Sequence, residues 1–459
     1  MLDQELAKAI AKIRDQDLYI SCEPEILDPT NPERSSKLIL HSPGLRIGVP
    51  LSTSSKNLSE TMGALLVLFE DLKDQGKIIA GWNIKSLYTY AKAILGRSFE
   101  FDGTIFDLKA IERFTGVRDG SAPKTLREAK ARLTQVIKSP SWDKTRLWYK
   151  EVAWPLISDV LPSVESTRLA DSEAKKHVSS YYEVEGQVNG RLASQKILKY
   201  SYNPHSMSPE EKAVLRPSDY DKQFLYFDYR HMEVSTLQWL SKDPVLEDAI
   251  NSGEDLYSFI WRRLTTLEPN EKFRDQCKLI FLPVIYGCGS ETIARKHGIS
   301  QNTAEKLVDR IYKTFKVSLD WISSQQFERD ENNFVTDVFG RRRKMEGDLY
   351  KVRNFAVQAP ASLICIHKLI VLHRALKSLN AEVAMHIHDG YVVMADRGQT
   401  PLVVEKACEA LEKEEALYPG LKLSVACRVG GRLDMLKPFD RKKEKNHGKH
   451  TEIISDNGE

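Results

Sequence analysis

Asp228 and Asp389 lie far apart in the chain, yet each sits beside an apolar, strand-like run, Tyr226-Phe227-Asp228-Tyr229 and His386-Ile387-His388-Asp389-Gly390-Tyr391-Val392. Carboxylates gathered from distant segments can hold two magnesium ions about 3.5–4 Å apart, stabilising the attacking and the leaving oxygens of an in-line displacement. Between them Arg274 and Lys278 are followed at four-residue intervals by Leu282 and Tyr286. On a helix each such step turns by about 40°, so the four side chains form one stripe. Arginine and lysine neutralise phosphate oxygens, and an aromatic further along offers a stacking surface to a base. Together these groups read as nucleotidyl transfer. Taken singly, each has a plainer reading. Asp228 could cap a strand end, Arg274 and Lys278 could form a solvated helix face, and His386-x-His388 could open a zinc site, although no third or fourth ligand stands at a usual spacing. Their order along the chain favours the chemistry.

The elements that must hold these groups belong to a large mixed chain. Its 459 residues are enough for two or three domains with ample core. Lys and Arg (67) barely outnumber Asp and Glu (64), a net charge of +3, so any nucleic-acid surface must be local. Six scattered cysteines without a CxxC pair imply free thiols in a reducing compartment and no zinc site. No apolar run approaches about 20 residues and the start, Met1-Leu2-Asp3-Gln4-Glu5, lacks a signal-peptide pattern. The expectation is a protein without a membrane partner, cytoplasmic and nucleoid-associated in a bacterium or a virus-infected cell. Residues 17–110 alternate apolar runs such as Leu38-Ile39-Leu40 with turn clusters and a helical stretch at 58–73, an α/β pattern.

The order and spacing resemble the DNA polymerase I family, the family A template-directed DNA polymerases. Asp228-Tyr229-x3-Glu233 resembles its first motif, Arg274-x3-Lys278-x7-Tyr286-Gly287 its second and His388-Asp389 its third. Gly190-Arg191-Leu192, Phe339-Gly340-Arg341-Arg342-Arg343 and Asn354-x3-Gln358 match supporting segments, and the similarity runs from about Glu185 to about Leu436. The resemblance implies α/β and α+β domains, with a ribonuclease-H-like exonuclease fold over 1–150 and a vestigial thumb or linker over 151–185. A right-hand polymerase palm with an antiparallel sheet and helical fingers at about 245–345 then spans 186–436, and a polar tail closes the chain at 437–459. It makes Asp228, Asp389 and the backbone carbonyl of Tyr229 ligands for two Mg2+ ions, with Mn2+ as a substitute. Asp228, Asp389 and Lys278 become the catalytic residues. Arg274, Lys278, Leu282, Tyr286, Glu233 and Tyr257 become contacts of the incoming dNTP, and Arg191, Asn354, Gln358 and His388 contacts of primer–template DNA.

Several positions depart from the family pattern. In the exonuclease-like region Ser21 and Leu87 replace two Asp, leaving Glu23; Asp102 and Asp107 match a following segment, so the expectation is a retained fold without proofreading. Only the segment between Pro155 and Gly190 is left for a thumb, which implies a processivity or replisome partner. Gly390 stands where the family commonly has Glu, Tyr257 where it often has His, and Leu282-Pro283 where it has an aromatic followed by Gly. Pro283 should kink its helix. The sequence leaves two rivals, a single-subunit RNA polymerase and a catalytically silent DNA-binding replication factor.

Overall fold

The computed structural model describes residues 4–13, 16–27, 36–51, 54–95, 104–116, 120–139, 141–167, 169–171, 176–178, 180–187, 189–194, 202–325, 332–345 and 349–441; Asp102 and the stretch 442–459 lie outside them. Two units form, neither contiguous in sequence. One joins residues 1–228 to 365–411 and 425–459, and the other joins 229–364 to 412–424.

In the first unit the amino-terminal region builds a five-stranded sheet in the order Leu45–Leu51, Ser36–Ser42, Leu18–Glu23, Ile79–Gly81, Phe106–Asp107. The first three strands pair antiparallel and the last two join in parallel. The near-continuous apolar run in Ser36–Ser42 suits a strand with buried residues on both faces. Helix Ser55–Asp74 packs Leu65, Leu68, Phe69 and Leu72 into the core beside this sheet, and Leu87, on helix Lys85–Leu95, joins the same core. Asp107 is buried and spends its carboxylate on backbone N–H groups, accepting from Asn83, Ile84, Lys109 and Ala110 at 2.8–3.4 Å. It is thereby the N-cap of helix Leu108–Phe114.

The chain then stays helical from Trp142 to Ser166, widening into π-helical turns on either side of Trp154-Pro155. A proline lacks the N–H that would bond one turn back, and a wider turn accommodates the gap. Beyond it come short strands, Leu169–Asp171 and Lys176–Val178, which form a three-stranded sheet with Leu215–Pro217. Among the described residues between Pro155 and Gly190, the only helical segment is the one ending at Ser166. Glu165, near its end, is buried and accepts from Lys85 Nζ at 2.6 Å, Thr89 Oγ1 at 2.7 Å and Tyr182 N at 2.7 Å.

The unit's second large sheet runs Ala381–Ile387, Gly390–Asp396, Lys222–Tyr229, Val425–Gly430, Lys437–Pro438. Lys222–Asp228 pairs antiparallel with Asp396–Gly390 in unbroken register. The sequence assigns 437–459 to a polar tail, but Lys437 and Pro438 pair with Val429 and Arg428 as an edge strand, because their extended backbone completes hydrogen bonds that the sheet edge leaves open.

The second unit is mainly helical. Asp243, Asp255, Asn270 and Ser300 each start a helix by accepting a backbone N–H in its first turn. Its core gathers Leu246, Ile260, Phe281, Ile311, Phe315 and Val357. The hairpin of Phe334–Thr336 and Arg342–Lys344 is anchored by Arg341, fully buried, which donates to Ala359 O at 2.7 Å and pairs with Asp337 at 3.2 Å.

Helix Leu349–Leu376 corrects one expectation. Its segment Tyr350–Leu376 is long and apolar enough to cross a membrane, although its sequence shows no unbroken apolar run of that length. Of its most apolar window 83% is buried, so the apolarity serves packing as in a core helix.

The buried pair of Lys85 and Glu165 gives a stability test. Glu165→Gln leaves the Lys85 ammonium uncompensated in a dry site and should destabilise the protein by about 3–5 kcal/mol. Urea unfolding of the two proteins measures it.

Candidate functional site

Strand Lys222–Tyr229 buries Leu225, Phe227 and Tyr229 and leaves Tyr226 and Asp228 half-buried on its other face, as the two-residue period of a strand requires. Asp228 pairs across the sheet with Gly390, so Asp389 is one residue away on the neighbouring strand connection. His388 and Asp389 form the two-residue turn of a hairpin closed by Ile387 and Gly390, with His388 in the left-handed region (φ 52°). Burial pushes the Asp389 carboxyl up, and the charge of Asp228 adds to this, while Arg191 and His388 oppose it. Arg191 Nη2 lies 3.5 Å from Asp389 Oδ1. Tyr229, whose carbonyl the resemblance makes a ligand, is the last residue of its strand.

These groups fit a hard divalent cation. Two carboxylates crowded into a partly dry place repel, and a cation relieves both the repulsion and the burial. Among the described residues no group of three or more His, Cys, Asp or Glu could hold a metal. Two protein carboxylates, with the remaining positions left to backbone, water and substrate phosphates, is a set suited to magnesium rather than to a closed structural site. His386 and His388 build no zinc centre. His388 stacks on His205 with centroids 4.9 Å apart, and His386 is buried with neither ring nitrogen hydrogen-bonded among the described residues. The His386 backbone is bracketed by the Tyr182 phenol, which donates to its carbonyl at 2.8 Å and accepts from its N–H at 2.9 Å.

In the second unit, helix Glu271–Ile285 turns Cys277, Ile280, Phe281 and Val284 inward and leaves Arg274, Lys278 and Leu282 along the opposite, open side. Three of the four residues of the stripe read from the sequence thus lie along one open side, whereas Tyr286 follows the helix end and is buried. Pro283 does not interrupt the stripe in mid-course. The helix closes two residues later, and the carbonyl that loses its partner is that of the exposed Leu279, where water can replace it. Arg274 is held by Asp255 (Nε to Oδ2, 3.0 Å) and Asp275 (Nη1 to Oδ1, 2.8 Å). Burial would raise the Asp255 carboxyl, but hydrogen bonds from Ser258 and Arg274 outweigh it and hold it below the usual range.

Tyr257 is buried, its phenol pushed up to about 12, chiefly by burial. The His231 ring meets it edge-on at 5.1 Å. Burial pulls His231 down to about 4, so the imidazole is neutral at pH 7. Sequence reasoning missed His231. It also missed Arg230 and Lys422, which with His231, Asp255 and Arg274 line a cavity of about 580 Å³. The basic pair Arg230-His231 directly after the first carboxylate strand was an available signal; Lys422 offered none.

Glu233 is a meeting point. Tyr286 Oη donates to its Oε2 at 2.7 Å, and Gln358 Nε2 to its Oε1 at 3.3 Å. Three residues given separate roles by the sequence thus share one hydrogen-bonded node. The Tyr286 ring is itself buried. Asn354 lies one turn before Gln358, with a buried Oδ1 that has no partner among the described residues.

A model of DNA polymerase family A matches residues 157–434, more than half of the chain. DNA polymerase I of Chloroflexus aurantiacus is 25% identical over 300 residues, 61% of this chain and 31% of that one. The thermostable DNA polymerase I of Thermus filiformis is 26% identical over 226 residues (46% and 26%), and DNA polymerase theta of Drosophila melanogaster 22% over 242 (48% and 12%). The chain thus spans less than a third of each of these relatives. A solved structure of the POL domain of Pol1 from M. smegmatis, in complex with DNA primer-template and dNTP, superposes with a TM-score of 0.73 at 15% identity, over 95% of this chain and 99% of that one.

The buried histidines predict a pH response. Burial pulls His205 down to about 4 and His386 well below the ordinary histidine value. Both bind protons more readily when unfolded, so stability is full above about pH 6.5 and is lost as pH falls. The slope is up to about 1.4 kcal/mol per pH unit for each. Urea unfolding between pH 7 and 5 should show it, and His205→Gln should flatten it.

Proposed function

The chain belongs to DNA polymerase family A, and from that membership we propose that it is a template-directed DNA polymerase adding deoxyribonucleotides to a primer 3′ end. The observation that carries this reading is the strand register that pairs Asp228 with Gly390 and so sets it beside Asp389 in the adjoining hairpin turn. Asp228, Asp389 and the Tyr229 carbonyl would hold magnesium. When bound, the ions neutralise phosphate charge and ease deprotonation of the primer 3′-hydroxyl. In the step itself the 3′ oxygen bonds to the α-phosphorus, and the bond to the departing pyrophosphate breaks.

The remaining residues position and neutralise. Arg274 exchanges Asp255 and Asp275 for triphosphate oxygens, and Lys278 adds a second cation from the same stripe. Tyr257 supplies a neutral donor, and His231 beside it supplies the imidazole that the resemblance expected at Tyr257 itself. Glu233, fixed by Tyr286 and Gln358, presents a rigid wall to the sugar, which favours deoxyribonucleotides over the RNA polymerase reading. Leu282 offers the sugar no ring or hydroxyl. Arg191, Asn354, Gln358 and His388 face the primer–template.

We read the amino-terminal region as a ribonuclease-H-like exonuclease fold without its chemistry. Its strand order, three antiparallel strands followed by two parallel ones, supports that fold. Its carboxylates do not support a nuclease: Leu87 is core, Asp107 is a cap and Glu23 pairs with Arg46 at 2.6 Å. A reduced thumb leaves little protein to grip the duplex, so a clamp-like partner would supply long synthesis.

Three outcomes are expected. With magnesium and dNTPs the protein extends a primed template, and Asp228→Asn or Asp389→Asn lowers the single-turnover rate by at least about 10³-fold, given how much charge stabilisation each ligand supplies. Extension that survives either change sinks the mechanism; extension with NTPs alone favours the RNA polymerase reading, and no extension by the unaltered protein favours the silent factor. A mispaired, labelled primer incubated with magnesium and no nucleotides should stay full length. Raising salt from 50 to 200 mM should weaken primer–template binding by orders of magnitude, because Lys and Arg contacts to phosphate dominate the grip; a filter-binding titration reads this.

A further inference from the structure

Gly390 lies opposite Asp228 in the sheet, and a Cβ there would come within 2.7 Å of Tyr226 Oη, 2.9 Å of Tyr226 Cε2 and 2.9 Å of the Phe227 carbonyl oxygen. No other residue type fits without displacing the phenol or the strand. The phenol of Tyr226 thus occupies the volume into which a side chain at 390 would project. Tyr226 and Asp228, two residues apart, share one face of their strand, so the phenol above Gly390 lies on the side of the sheet that presents the Asp228 carboxylate, directly across from that glycine. Asp228, Asp389 and Arg428 are the charged groups that act on the phenol.

We propose that Tyr226 is a positioning residue, its hydroxyl seated in the space above Gly390 so as to fix the Asp228 carboxylate in the orientation that receives a divalent cation. The inference rests on the reading of Asp228 as a metal ligand. A carboxylate on a single strand residue can rotate about two bonds, and a cation gains most from a ligand that is already oriented. Partners that hydrogen-bond to a ligating carboxylate supply that orientation, and their loss typically weakens metal affinity by about 10–100-fold. Here the partner lies on the same strand as the ligand, and the neighbouring strand makes room for it with glycine. Gly390 also stands where the resemblance places a carboxylate, so at this point the chain carries a neutral donor in place of a third negative charge.

The test separates the hydroxyl from the ring. Tyr226→Phe keeps the ring and removes the donor, so the melting temperature should be unchanged. Mn2+ binding, followed by electron paramagnetic resonance without DNA or nucleotide, should weaken about tenfold. The Mg2+ concentration giving half-maximal primer extension should rise by a similar factor. In an Asp228→Asn background, Tyr226→Phe should change Mn2+ binding no further, because the hydroxyl acts through that carboxylate. Equal Mn2+ binding by Tyr226→Phe and the unaltered protein, or an equal loss with and without Asp228, overturns the proposal. Failure of the unaltered protein to extend a primer would instead count against the polymerase reading, and the Mn2+ measurement distinguishes the two.

Discussion

Asp228 and Asp389 carry like charges, and nothing in their own chemistry favours their approach. They are neighbours because seven consecutive residue pairs, Lys222 with Asp396 through Asp228 with Gly390, lock two strands in register. Backbone hydrogen bonds and the apolar side chains on the opposite face, Leu225, Phe227, Tyr391 and Val393, stabilise an arrangement that the carboxylates alone would oppose. A slip by one residue would turn Asp228 to the apolar side of the sheet. The proximity of the two carboxylates is thus a product of sheet register.

The mainly helical unit solves the same problem with the opposite sign. Arg274 is screened by Asp255 and Asp275 rather than left to repel Lys278 and Arg230, and Asp255 also caps the helix that presents Tyr257. One carboxylate therefore joins local folding to the placement of Arg274 on its helix. Glu233, bonded to Tyr286 and Gln358, ties the helix Met232–Ser241 to the end of helix Glu271–Ile285 and to the long core helix. Lost freedom in these side chains is settled on folding, before any ligand arrives.

Much of this was legible in the sequence wherever function depends on residue type at a fixed spacing. The Arg274-Lys278-Leu282 stripe follows from helical geometry, and Asp228 and Asp389 stand out beside apolar runs. What escaped depends on contacts between distant residues. Tyr226 reads as one more strand aromatic until the absence of a side chain at Gly390 is seen beside it. His231 reads as a turn residue until its ring is found against Tyr257, and Glu165 as a helix-end charge until it is found buried with Lys85. The edge strand Lys437–Pro438 escaped because polar, proline-containing segments resemble solvated tails, whereas an edge strand needs only some of its backbone donors.

Leu87 has a consequence for what its position can tolerate. It lies in the amino-terminal core with 1% of its surface exposed, and the Asp107 carboxylate is committed to backbone groups. An aspartate at 87 would place an unpaired charge among packed apolar side chains, a change that costs several kcal/mol. The packing around position 87 therefore penalises any charged side chain there. The core closes this position to charge by a single substitution, because polar partners for a carboxylate would have to be introduced at the same time.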